Sequence, residues 1–132
     1  MLFRSLRLHV DLATDLPMLA LDADRMQQVF LNLLLNARDA VGEGAEDGEI
    51  RIATRRTEHD VIAEIADNGA GIPEEILPRI FDPFFSTKAR GKGTGLGLSV
   101  CQSIVTAHNG RITAANLERG AIFTLTFPYP SS

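Results

Sequence analysis

The stretch EIRIATRRTEHDVIAEIADNGAGIP, residues 49–73, decides the architecture. Apolar side chains recur at alternate positions from Glu49 to Arg56 and again from Asp60 to Asp67, the period of strands with one buried face. The polar turn between the two runs makes an antiparallel pair the expected arrangement. Asp67 shares the parity of Val61, Ala63 and Ile65, so its carboxylate is expected to point into the same buried layer. The strand pair then breaks at Asn68-Gly69-Ala70-Gly71, where glycine permits a tight turn or the close approach of another group to the backbone.

Working towards the N-terminus, Asp22 or Asp24 can cap a helix whose apolar positions Met26, Val29, Phe30, Leu33, Leu34, Ala37, Ala40 and Val41 fall on one side. The glycine-rich run 42–48 ends it. Before it, Leu6, Leu8, Val10 and Leu12 alternate with Arg7, His9 and Asp11, which predicts a strand with one wet face. Its abrupt start suggests a domain excised from a longer protein.

Towards the C-terminus, Pro73 is expected to open a short helical turn that Pro78 stops. Residues 79–95 keep neither period, which in a compact domain points to a functional lid. A second helix is predicted from about Leu96 to Asn109, with Leu98, Cys101, Ile104 and Val105 inward and Asn109-Gly110 as its stop signal. Strands are expected near Arg111–Ala115 and Ala121–Phe127. The order of elements implies an α+β, two-layer α/β sandwich: a mixed, mostly antiparallel sheet of about five strands with helices on one face.

With 132 residues and 45% hydrophobic side chains, one domain with one core is expected. A net charge of -4 with scattered acids argues against a nucleic-acid footprint or a basic membrane-binding face. The single cysteine, Cys101, cannot form an internal disulfide and fits a reducing cytosol. The most apolar stretch, Val29 to Leu35, is short and broken by Asn32, so no span or signal peptide is expected. A soluble, cytoplasmic and monomeric domain without direct membrane contact follows, whether or not the intact protein is anchored in a membrane.

Three clusters carry chemistry. On the first helix Gln28, Asn32, Asn36 and Asp39 form a stripe about 80° wide beside the apolar face. Amide oxygens there are either rim groups making local hydrogen bonds or hard ligands for magnesium, which is usually completed by water and substrate phosphates. A buried Asp67 needs a donor, and the exocyclic amine of adenine is suited, with Gly69 and Gly71 letting a flat base approach. An ordinary glycine turn is the plainer alternative. Finally, Gly91, Gly93, Gly95 and Gly97 alternate just before the second helix, with Lys88, Arg90 and Lys92 nearby. Exposed N–H groups at a helix start beside glycines suit phosphate, although the spacing is not that of a P-loop. Phe81, Phe84 and Phe85 at the root of this segment are core filling or a lid anchor.

These pieces, in this order and over nearly the whole chain, resemble the histidine kinase branch of the gyrase, chaperone, kinase and mismatch-repair ATPase superfamily, whose ATP-binding domain has the Bergerat fold. Residues 28–37 resemble its asparagine box, 67–73 its first glycine box, 81–85 its phenylalanine box and 93–98 its second glycine box.

The resemblance implies that Asn36, helped by Asn32, holds magnesium and that Asp67 binds the adenine amine. Gly69 and Gly71, with Ile72, shape the base pocket. Lys88 and the amides around Gly93, Thr94, Gly95, Leu96, Gly97 and Leu98 hold the phosphates of ATP or ADP. Asp39, Phe81 and Ala121 complete the nucleotide contacts, and Asn36, Asn32 and Lys88 serve transfer.

Three departures accompany it. Asn32 stands where the hydrolysing relatives carry a glutamate that activates water, and an amide is no base. Asp39-Ala40 replaces a lysine and a stacking aromatic found in many members. Ala121 replaces a threonine that often lies near the base.

None of the three histidines looks like a phosphoacceptor. His9 faces the wet side of a strand. His59 sits in a turn, and His108 closes a helix where a partly positive ring suits the dipole. The resemblance therefore implies a separate phosphoacceptor and dimerisation helical domain, with a response regulator downstream. An anti-sigma-type serine kinase of the same superfamily and a catalytically silent nucleotide-binding scaffold are the other functions compatible with these motifs.

Overall fold

The computed structural model describes residues 6–42, 47–83 and 97–129. In chain order the elements are β1 (Arg7–Asp11), α1 (Ala23–Val41), β2 (Glu49–Arg56), β3 (Asp60–Asp67), a 3-10 turn (Leu77–Arg79), α2 (Gly97–Ala107), β4 (Arg111–Asn116) and β5 (Ala121–Pro128). The strands form one five-stranded sheet in the order β1-β2-β3-β5-β4. β1 runs parallel to β2, and the remaining pairs are antiparallel. The parallel step encloses α1, as a same-sense pair requires a long connection that returns the chain to its starting edge. The expected mixed, mostly antiparallel two-layer sandwich is what forms.

α1 starts where Asp22 accepts a hydrogen bond from the Arg25 amide at 3.1 Å, which supplies one of the helix's orphan donors with a partner. Met26, Val29, Leu33 and Ala37, three or four residues apart, are its buried positions. They meet Ile65 of β3 and Phe123 and Leu125 of β5 in the core, while Phe30, Leu34 and Val41 flank it. α2 packs against α1 and β4 and ends as the Asn109-Gly110 signal predicts. Asn109 is left-handed at φ 64°. Its amide donates to the Thr106 carbonyl and that of Gly110 to the Val105 carbonyl, the pair of bonds that closes a helix in a Schellman motif.

Two local expectations are corrected. Pro78 does not stop a helix: it occupies the first turn of the 3-10 segment, where its missing N–H is not needed. β1 is exposed along its whole length. Leu8 and Val10 lie opposite Ile50 and Ile52 of β2, but α1 lies over β2 and β3, so the apolar side of this edge strand stays uncovered. Among the described residues no helix is long and apolar enough to cross a membrane.

Candidate functional site

The relative direction of the two helices decides what lies together. The amide of Asp22, just before α1, donates to Nε2 of His108, just after α2, at 3.2 Å. The start of α1 therefore meets the end of α2, and the helices run antiparallel. Mid-way, the Cys101 thiol lies 3.8 Å from the Val29 carbonyl. Four residues back from Cys101 is Gly97, the first residue of α2; seven residues on from Val29 is Asn36. The N–H end of α2 and the Asn36 turn of α1 thus share one end of the sandwich.

Asp67 closes β3 at that same end. The last turn of α1 reaches the loop behind it: the Ala40 carbonyl accepts from the Ala70 amide at 3.3 Å. Asn36 is one helical turn before Ala40 and on the same side of α1. A Cβ on Gly69 would stand 2.3 Å from the Ala40 oxygen, so only glycine lets loop and helix approach this closely. On the other flank, Asn68 grips β2. Its Oδ1 accepts from the Glu49 amide at 2.9 Å and its Nδ2 donates to the Asp47 carbonyl at 2.6 Å. Gly71 is left-handed at φ 82°, and the side chain of Ile72 packs against the core.

Asp67 is 5% exposed and is the one buried polar or charged side chain among the described residues. As a buried acid requires, it has donors: the Gly69 amide donates to Oδ1 at 2.8 Å, and the Ala121 amide also bonds the carboxylate. Burial pushes its pKa up from the ordinary value, and these two amides oppose the rise. An ionised carboxylate accepts at about four lone-pair sites, so two backbone donors leave room for a ligand's amine. Ala121 enters the site through its backbone.

On α1, Asn32 and Asn36 are half-buried, Gln28 and Asp39 exposed. The side chain of Asn32 bonds the buried Cys101 thiol, whose pKa is raised by burial and lowered by that bond. The Asp39 carboxylate lies 3.8 Å from Arg38. Phe81 packs edge-on against Phe123, ring centroids 6.2 Å apart at 87°, which anchors the root of the following segment in the core. Leu98 also packs against the core. Lys88, Arg90, Lys92, Phe84, Phe85, Gly91, Gly93, Thr94, Gly95 and Leu96 lie outside the described residues. Among those described, nothing stands within 4 Å of a Cβ placed on Gly97.

The histidines lie elsewhere. His59 is in the turn before β3, roughly 26 Å from Asp67 at about 3.3 Å per strand residue. His9 pairs with Glu49 on the open face of the sheet at 3.3 Å. His108 accepts at Nε2 from Asp22 and has Nδ1 2.8 Å from the Ile104 carbonyl. With Nε2 accepting, it is Nδ1 that donates to the Ile104 carbonyl. Sequence reasoning missed this clamp, and it missed Asn116, whose amide bonds the backbone of Ile72 twice, at 2.7 and 2.6 Å. It also missed Gly120, which presses against Asp67.

One end of the two-layer sandwich thus carries an amide-bearing helix turn, a buried acid and a glycine loop. Residues 21–131 match the model of the histidine kinase-, DNA gyrase B- and HSP90-like ATPase family, and the chain belongs to that family. Among curated proteins it is 45% identical over 115 residues to the two-component sensor PprA of Pseudomonas aeruginosa, covering 80% of this chain and 12% of that one. It is 42% identical over 126 residues to the sensor histidine kinase ZraS of Escherichia coli O157:H7, covering 95% and 26%. The chain thus spans between about an eighth and a quarter of the length of these relatives. Among solved structures, the catalytic domain of histidine kinase ThkA superposes with a TM-score of 0.80 at 35% identity, covering 93% of this chain and 80% of that one. Full-length ShkA in complex with AMPPNP gives 0.79 at 26% identity, covering 96% and 26%. ATP is the nucleotide that family membership implies.

Proposed function

We propose that this chain is the ATP-binding catalytic domain of a two-component sensor histidine kinase. It transfers the γ-phosphoryl group of ATP to a histidine on a separate phosphoacceptor and dimerisation helical domain, from which a response regulator then draws the phosphate. The observation that carries the reading is the antiparallel pairing of α1 and α2. It sets Asn36, the loop behind Asp67 and the N–H end of α2 at one end of the sandwich.

In this reading Asp67 accepts from the adenine amine, Gly69, Gly71 and Ile72 wall the base, and Asp39, Phe81 and the Ala121 backbone border it. The start of α2, at Gly97 and Leu98, is proposed to turn its N–H groups toward the phosphates, which its positive dipole end favours. Lys88, Gly93, Thr94, Gly95 and Leu96 are proposed to hold them as well. Among the described residues no three carboxylate, thiol or imidazole groups cluster as metal ligands. A magnesium ion bound here would therefore rest on amide oxygen, water and the phosphates themselves, a donor set that suits it. Asn36, helped by Asn32, is the proposed source of that amide oxygen. Bound magnesium would neutralise phosphate charge; the chain's own part is to position the triphosphate and exclude alternatives, which is most of what phosphoryl transfer asks.

His59 and His108 lie at the other end of the sandwich and His9 on the sheet face that the helices leave open, which is why the acceptor is assigned to another domain. The whole protein is read as cytoplasmic at this domain, and the isolated domain as monomeric. Mixing the chain with acceptor helices from such a kinase and γ-labelled ATP should give acid-labile, alkali-stable phosphohistidine. Acid-stable, alkali-labile phosphate would point to a serine kinase instead, and no transfer despite tight ATP binding would point to a silent nucleotide-binding scaffold.

A further inference from the structure

Asn116, the last residue of β4, is exposed and belongs to neither the core nor any of the motifs recognised in the sequence. Its amide nevertheless makes two short bonds to a residue 44 positions away. Oδ1 accepts from the Ile72 N–H at 2.7 Å, and Nδ2 donates to the Ile72 carbonyl at 2.6 Å. The pair satisfies both backbone groups of Ile72, as a neighbouring strand would. Gly71 supplies the backbone turn that makes this possible. Its φ is +82°, and a Cβ there would lie 3.2 Å from Asn116 Oδ1 and 3.4 Å from the Gly120 carbonyl.

The sheet register explains why this tether matters. Asn116 pairs with Ala121 and Asp67 with Ile50. Since Ala66 pairs with Ile122, continuing that ladder by one step sets Asp67 beside Ala121. Ile50, Asp67, Ala121 and Asn116 therefore form one row across the end of the sheet, on its helix-covered face. The buried carboxylate fills the middle of the row, and the amide at its end holds the loop that folds back over it.

We propose that Asn116 is a positioning residue for purine recognition: by binding both backbone groups of Ile72 it sets the gap between the Gly69–Ile72 wall and the carboxylate of Asp67. This rests on the reading of that pocket as the base site. Two hydrogen bonds lost from a loop at the protein surface would let the wall move without unfolding the core, and the contact most sensitive to such movement is the directional one between Asp67 and the base amine.

The test is calorimetric titration of the 132-residue chain, with magnesium, by ATP and by inosine triphosphate, which replaces the amine by a carbonyl oxygen. Asn116→Ala and Asn116→Asp are compared with wild type, and folding is checked by circular dichroism. Wild type should prefer ATP. Asn116→Ala should weaken ATP binding about tenfold while changing inosine triphosphate binding less than about threefold. Asn116→Asp, which keeps the acceptor but loses the donor, should fall between, and it carries the comparison if the alanine variant does not fold. An unchanged ATP preference in a folded variant would overturn the proposal and leave the base site standing. Loss of fold in both variants would also overturn it, since Asn116 would then be structural. A wild-type chain with no preference for ATP would remove the base-site reading itself.

Discussion

Asp67 sits among Ala66, Ile50 and Ala121, with the Gly69 and Ala121 amides as its donors among the described residues, and burial is the largest influence on its pKa. Its folded pKa is raised, so the folded state holds a proton that the unfolded chain has already released. The stability this group contributes is thus fully present below the ordinary value of 3.8 and is lost as pH rises through the higher folded value. Urea unfolding of the nucleotide-free chain and of Asp67→Asn across this window should show the stability of wild type relative to the variant falling as pH rises, then levelling. A rise over the same window would mean that the two amides outweigh burial. An acid that costs stability when ionised at neutral pH needs another reason to be present, and a ligand amine supplies one.

At the scale of elements, β3 and β5 were legible because buried side chains alternate with half-buried ones along most of each strand, and β2 through Ile50 and Ile52 on either side of the exposed Arg51, which writes a period of two into the sequence. The α1 stripe was legible for the same reason. β1 carries the same alternation, yet α1 does not cover it, and no local pattern records where a helix will lie. The helix clamp from His108 to Asp22 spans 86 residues and the Asn116 tether 44; contacts this distant leave no periodic trace. The β4–β5 turn was read only as a gap between strands, but its Gly120 has φ +94° and a Cβ there would stand 1.9 Å from the Asp67 carbonyl oxygen. Gly120→Ala should therefore destabilise the chain by at least about 2 kcal/mol through backbone strain and that collision. Chemical denaturation measures this, and a loss below about 0.5 kcal/mol would show that the turn can yield.

For the whole molecule, the antiparallel helix pair brings the proposed site elements to one end of the sandwich. Asn36, Asp67 and the start of α2 come from separate elements and share that end because β1 and β2 are parallel around α1 and because His108 ties the far ends of the helices. The central claim is that one magnesium nucleotide bridges Asn36 and Asp67. Its most direct measurement is calorimetric binding of a non-hydrolysable ATP analogue to wild type, Asn36→Ala and Asp67→Ala, each with magnesium and with chelator. Both variants should bind at least about tenfold more weakly with magnesium, and the deficit of Asn36→Ala should vanish in chelator while that of Asp67→Ala persists. Wild-type affinity in both folded variants would contradict the claim.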